Sequence, residues 1–75
     1  MTDHDSYILD IIHKAEKTEF DSNDFPQTNP DVMHKAILNL KHRGFLNFTN
    51  ASSDSGYEYI NVSITKIGLM FHASN

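Results

Sequence analysis

Seven residues on a single helix carry the chemistry this chain can offer. His34, Lys35, Leu38, Asn39, Lys41, His42 and Arg43 lie between Asn29 and Gly44, mostly on the side away from an apolar stripe of Met33, Ala36, Ile37 and Leu40. An asparagine on such a face has the donor and acceptor needed to bond adenine bidentately in a major groove. Lysine and arginine beside it would meet phosphates, and a leucine suits a thymine methyl. The same residues also describe an ordinary solvated helix face with cations near its C-terminus, where the dipole favours them.

The helix itself is strongly signalled. Asn29 caps it, Pro30 takes the first turn where a missing N–H costs nothing, Asp31 complements the dipole, and Gly44 is a left-handed stop. It holds three of the six lysines and arginines in a chain whose net charge is −4. Residues 1–30 carry seven acids against Lys14 and Lys17, so the positive charge is local and the total is acidic. An acidic total opposes strong nonspecific binding to nucleic acid, whereas a local basic patch permits weaker contact.

Other elements follow from periodicity. Ile8, Ile11, Ile12 and Ala15 mark a first helix from Ser6 to about Lys17, capped by Asp5 or Ser6. Ser22-Asn23-Asp24 opens a very short second helix that Pro26 cuts off. After Gly44 the pattern alternates: Leu46 and Phe48 on one face, Asn47 and Thr49 on the other. A polar tip, Asn50 to Gly56, leads to a second strand, Tyr57 to Val62, with Ile60 and Val62 sharing a face. Thr65 then caps a short apolar helix in which Gly68 permits close approach of another backbone. The expectation is one α+β domain over residues 1–75, a winged helix-turn-helix with three helices, a two-stranded wing and a short C-terminal helix. Residues 1–5 and 73–75 are read as flexible ends.

The run K-H-R-G-F-L, the hairpin and I-T-K-I-G-L-M-F resemble the layout of bacterial winged-helix proteins such as the MarR-like and PadR-like regulators. The stretches SNDFPQTNPD and VMHKAILNLKHRGFL are most similar to the small YjcQ-like family of bacterial and phage proteins, over roughly residues 6–72. The resemblance implies a winged-helix fold and says little about function.

Several classes of activity find no support. The chain has no cysteine, so disulfides and thiolate sites are excluded and a reducing, cytoplasmic setting is expected. Its five histidines show no i, i+4 pair and no HExxH, so no metal or other cofactor is expected. No nucleophile elbow, phosphate loop or paired-carboxylate motif suggests an enzyme. No apolar run approaches a membrane span, and the polar N-terminus MTDHDSY is not a secretory signal. The N-x-S/T triplets at Asn47, Asn50 and Asn61 are therefore read as chance matches.

Two functions remain in view. One is a transcriptional regulator binding double-stranded DNA through the helix over residues 30–43, as a homodimer or with a partner. The other is an acidic interaction module, for instance a phage or mobile-element protein that engages a host protein. The second draws on Tyr57 and Tyr59, read as an exposed strand face, on the apolar Leu69, Met70 and Phe71, and on a wing tip that holds Asp54 and no base.

Overall fold

The computed structural model describes residues 3–74, with side chains from Asp5 to Ala73. It is an α+β arrangement of three α-helices and a small antiparallel sheet: α1 (Asp3–Ala15), β1 (Phe20–Asp21), a 3-10 turn (Ser22–Asp24), α2 (Pro30–His42), β2 (Leu46–Asn50), β3 (Glu58–Ile64) and α3 (Lys66–Ser74). The sheet has three strands in the order β1-β3-β2, one more than the two-stranded hairpin expected. The added strand is two residues long, pairing Phe20 with Tyr59 and Asp21 with Glu58. Two residues are too few to show alternation, which is why Phe20 reads in the sequence only as an apolar anchor.

The helix that carries the candidate residues is built as its caps dictate. The Asn29 side-chain oxygen accepts from the Asp31 and Val32 amides at 2.8 and 3.4 Å, with Pro30 in the first turn. At the other end Gly44 adopts φ +81°. The Phe45 amide then reaches back to the Leu40 carbonyl and the Gly44 amide to the Lys41 carbonyl, the paired bonds of a Schellman stop. Met33, Ala36, Ile37 and Leu40 are buried against Ile8, Leu9 and Ile12 of α1 and Leu46, Phe48, Tyr59 and Val62 of the sheet.

Three boundaries differ from expectation. α1 begins at Asp3 instead of Ser6, so Asp5 is a buried helical residue and not a cap. Residues 1–2 lie outside the described residues, but Asp3 to Asp5 are helical where a flexible lead-in was expected. α3 likewise runs to Ser74. The short second helix is a single 3-10 turn capped by Asp21, whose side chain accepts from the Asn23 amide while Asp24 bonds back to the Asp21 amide.

α3 is fixed at its first turn. Thr65 donates from its hydroxyl to the Gly44 carbonyl, accepts from the Gly68 amide at 3.0 Å, and bonds through its own amide to the Phe45 carbonyl. Phe71 stacks on Phe45 with ring centres 5.1 Å apart. At its far end His72 bonds Asp10 of α1 at 3.0 Å and stacks on His13, while Lys14 pairs with the same carboxylate. The His72 bond, followed by the Lys14 bond, holds the Asp10 carboxyl below its ordinary pKa. A depressed carboxylate adds stability above its unfolded pKa and loses it as pH falls through the folded value. Asp10→Asn should therefore flatten the acid end of the stability-versus-pH curve and leave the neutral branch nearly parallel to wild type, a result read from urea midpoints between pH 2 and 7.

Candidate nucleic-acid interface

The outer side of α2 is narrower than the sequence suggests. At about 100° per residue, Asp31, Lys35, Leu38 and His42 follow one another at i, i+4, i+7 and i+11 and form a ridge directly opposite the buried stripe. Lys35 and His42 are exposed, and Leu38 is 41% exposed between them. Arg43, the C-terminal cap, is also exposed, about 100° round the helix axis from His42 and so off the ridge itself.

Three other expected contacts are turned to work within the fold. Asn39, itself half-buried, donates to the buried Asp5 carboxylate of α1 at 3.2 Å. An adenine contact from Asn39 would require this bond to be given up. Asp5 is available as a partner because α1 starts at Asp3 and buries it. Asn39→Ala should then cost about 1 kcal/mol of stability, the scale of a hydrogen bond to a charged group less the helix propensity gained. DNA affinity should not change. Chemical denaturation and a binding titration on the same variant check both halves.

His34 lies at the flank facing the sheet. Its ring stacks on Tyr57 at 4.3 Å, and its Nδ1 shares a 2.6 Å hydrogen bond with the Tyr59 hydroxyl. Lys41 lies on the same flank: its ammonium donates to the Phe48 carbonyl at 2.9 Å and sits 4.6 Å from the Phe48 ring centre. Lys41 is nonetheless exposed, so its charge contributes to the local field even though its donor is occupied.

The tyrosines do not share an outer face. Tyr59 is buried against Phe48 and the core, whereas Tyr57 is half-buried and donates to Asp31 at 2.6 Å. The cause is Asn61, which adopts φ +53° and makes a bulge where Asn61 and Val62 together oppose Phe48. One extra residue shifts the alternation, so Tyr59 and Val62 both point inward and the exposed-tyrosine expectation fails for Tyr59. Burial, and then the neighbouring Tyr57, push the Tyr59 hydroxyl well above its ordinary pKa, so it stays protonated. The bond to Asp31 raises Tyr57 as well.

The tip of the hairpin is ordered by its own bonds. Ser53 and Gly56 exchange backbone hydrogen bonds at 3.0 Å, Gly56 takes φ +141°, and Ser52 bonds both its Asn50 and Glu58 neighbours. It carries Asp54 and no base, and Glu58 follows at the start of β3. On α3, Leu69 and Met70 face solvent at 45% and 62% exposure, while Phe71 turns inward onto Phe45.

Among the described residues, no group of three or more His, Cys, Asp or Glu side chains is arranged to hold a metal ion, and no helix is long and apolar enough to cross a membrane. Comparison with known proteins finds no matching family, no matching characterised protein and no matching solved structure.

Proposed function

We propose that the chain is a winged-helix domain that binds double-stranded DNA by laying the Lys35–Leu38–His42 ridge of α2 into the major groove. The single observation that carries this reading is the ridge itself: a doubly capped helix whose exposed side presents Lys35 and His42 around one exposed leucine, with Arg43 exposed at its C-terminal cap. Lys35 and Arg43 contact phosphates and set the register. His42 and Leu38 reach base edges, the histidine as a hydrogen-bonding group and the leucine as an apolar surface for a thymine methyl. α2 and the wing move as one body, because the Asp31–Tyr57 and His34–Tyr59 bonds tie the helix to β3 and its approach. A regulator of transcription is the role this geometry suits.

With about two phosphate contacts per chain, affinity should be modest and dependent on salt. Binding in the range of about 1–100 µM is expected at low ionic strength, with log affinity falling against log salt at a slope near −2. Fluorescence anisotropy with a random duplex at about 50 mM and then about 200 mM salt measures both. The idea fails if no binding appears at the lower salt.

A second reading rests on the acidic hairpin. Asp31, Asp54 and Glu58 all lie on or beside the surface that a wing would turn towards DNA, and phosphate would repel them. An acidic surface of this kind suits a basic protein partner, such as a host factor engaged by a phage or mobile-element protein. The two readings diverge on duplex DNA alone, where the interaction module does not bind.

A further inference from the structure

We infer that the buried Tyr59 hydroxyl fixes His34 as a one-way hydrogen-bond donor beside the α2 ridge, so that His34 meets DNA by donating to an acceptor on a base edge. The target, DNA, rests on the function proposed above, whereas the state of the ring follows from the fold alone. Tyr59 is 1% exposed, and among the described residues its hydroxyl has one partner, the His34 Nδ1 at 2.6 Å. Burial holds this phenol in its protonated form. A buried hydroxyl whose proton finds no acceptor costs about 1–3 kcal/mol. The Tyr59 proton therefore points at Nδ1, and the neutral imidazole carries its own proton on Nε2. In the reverse tautomer Nδ1 would donate to the Tyr59 oxygen and leave the phenolic proton unused.

The ring is also held against turning over. Tyr57 stacks on it at 4.3 Å with the planes 12° apart, and Tyr57 is itself tied to Asp31 at 2.6 Å. A half-turn of the imidazole would set a carbon against the Tyr59 hydroxyl and orphan it. The second nitrogen is free. Among the described residues Nε2 has no hydrogen-bond partner, and the one unpartnered side-chain nitrogen or oxygen shut off from solvent is Thr28 Oγ1, so Nε2 reaches the surface. His34 stands one turn before Leu38 and about 40° round the helix axis from it, which places this donor at the border of the ridge. Asp31, one turn earlier on the same helix, opposes a phosphate here and leaves a base edge as the better match. A fixed N–H donor pairs with a purine N7, a guanine O6 or a thymine O4, and it cannot pair with the amino groups of adenine or cytosine.

Two-bond ¹H–¹⁵N correlation of the full chain, labelled with ¹⁵N at histidine and held at about pH 8 where imidazole is neutral, shows which nitrogen of His34 carries the proton. In the free protein Nε2 should be protonated and Nδ1 the acceptor, and Tyr59→Phe should move both nitrogens towards an averaged position. A proton on Nδ1, or a His34 pattern that Tyr59→Phe leaves unchanged, overturns the lock. In the complex with a random duplex the Nε2 proton should persist and exchange more slowly with water; its loss overturns the donor role. His34→Asn keeps a polar group near the Nδ1 position for Tyr59 and removes the Nε2 donor. It should stay folded by circular dichroism and bind the duplex about fivefold more weakly at about 50 mM salt, the scale of one hydrogen bond. Affinity equal to wild type overturns the contact with DNA while the proposed function stands. A wild-type chain that binds no duplex overturns both, and the spectrum of the free protein still decides the lock.

Discussion

Replacing Gly68 by alanine is expected to lower the thermal midpoint by about 10 °C, although alanine is the better helix former. A Cβ built at this position would fall on the Phe45 carbonyl oxygen and 2.8 Å from the Ile64 Cγ2. The side chain of Ile64 can adjust, but the carbonyl cannot: it is held by the Thr65 amide, and Phe45 itself closes the Schellman stop of α2. Overpacking of this kind costs typically 1–3 kcal/mol, and against rigid backbone the upper part of that range applies. Helix propensity returns about 1 kcal/mol, leaving a net loss near 2 kcal/mol in a domain small enough to have little in reserve. Alanine at Gly44 makes a useful comparison, since nothing lies within 4 Å there and only the left-handed φ of +81° opposes it, at about 1–2 kcal/mol. A Gly68→Ala midpoint equal to or above wild type would mean that α3 does not seat where it is described.

Reversing the two outermost cations of α2, with Lys35→Glu and Arg43→Glu together, is expected to abolish duplex binding without loss of fold. Both side chains are exposed and neither takes part in an ion pair among the described residues, so stability should move by less than about 0.5 kcal/mol. Each phosphate contact releases a counterion worth roughly a tenfold gain at 50 mM salt, and reversal adds repulsion to that loss. The combined fall should exceed about a hundredfold, which for a micromolar binder means no measurable binding. The matching reversal of Lys14 and Lys17, away from the ridge, should leave affinity within about threefold, because the general charge of the domain is a minor contributor. Equal losses from both pairs would reduce the effect to net charge alone.

How far these features can be read from the residues depends on whether each signal is local. α2 is legible end to end, since Asn29, Pro30, the Met33–Leu40 stripe and Gly44 each act on their own helix. The cap at Thr65 is legible for the same reason, whereas Gly68 signals a close approach but not that its neighbour is the Phe45 carbonyl, 23 residues away. Tyr59 is misread because its facing depends on one backbone angle at Asn61, a polar residue that alternation treats as just another strand position. The Asn39–Asp5 bond is not legible because the partner is 34 residues away, on a helix that starts at Asp3. Lys41 is closer to legible: Phe48 lies seven residues on, across the Gly44 turn, but the direction of that carbonyl is set by the sheet. So the helix and its caps can be read directly, whereas the division of its polar face into ridge and flanks requires the packed neighbours.

The most direct test is a titration of the ¹⁵N-labelled protein with a short duplex at low salt, read amide by amide. Progressive shifts concentrated at Lys35, Leu38, His42 and Arg43, with Leu69 and Met70 undisturbed, are expected if the α2 ridge is the surface that meets DNA. Spectra unchanged at millimolar duplex, or shifts gathered on α3 and the hairpin while the ridge stays still, would contradict it.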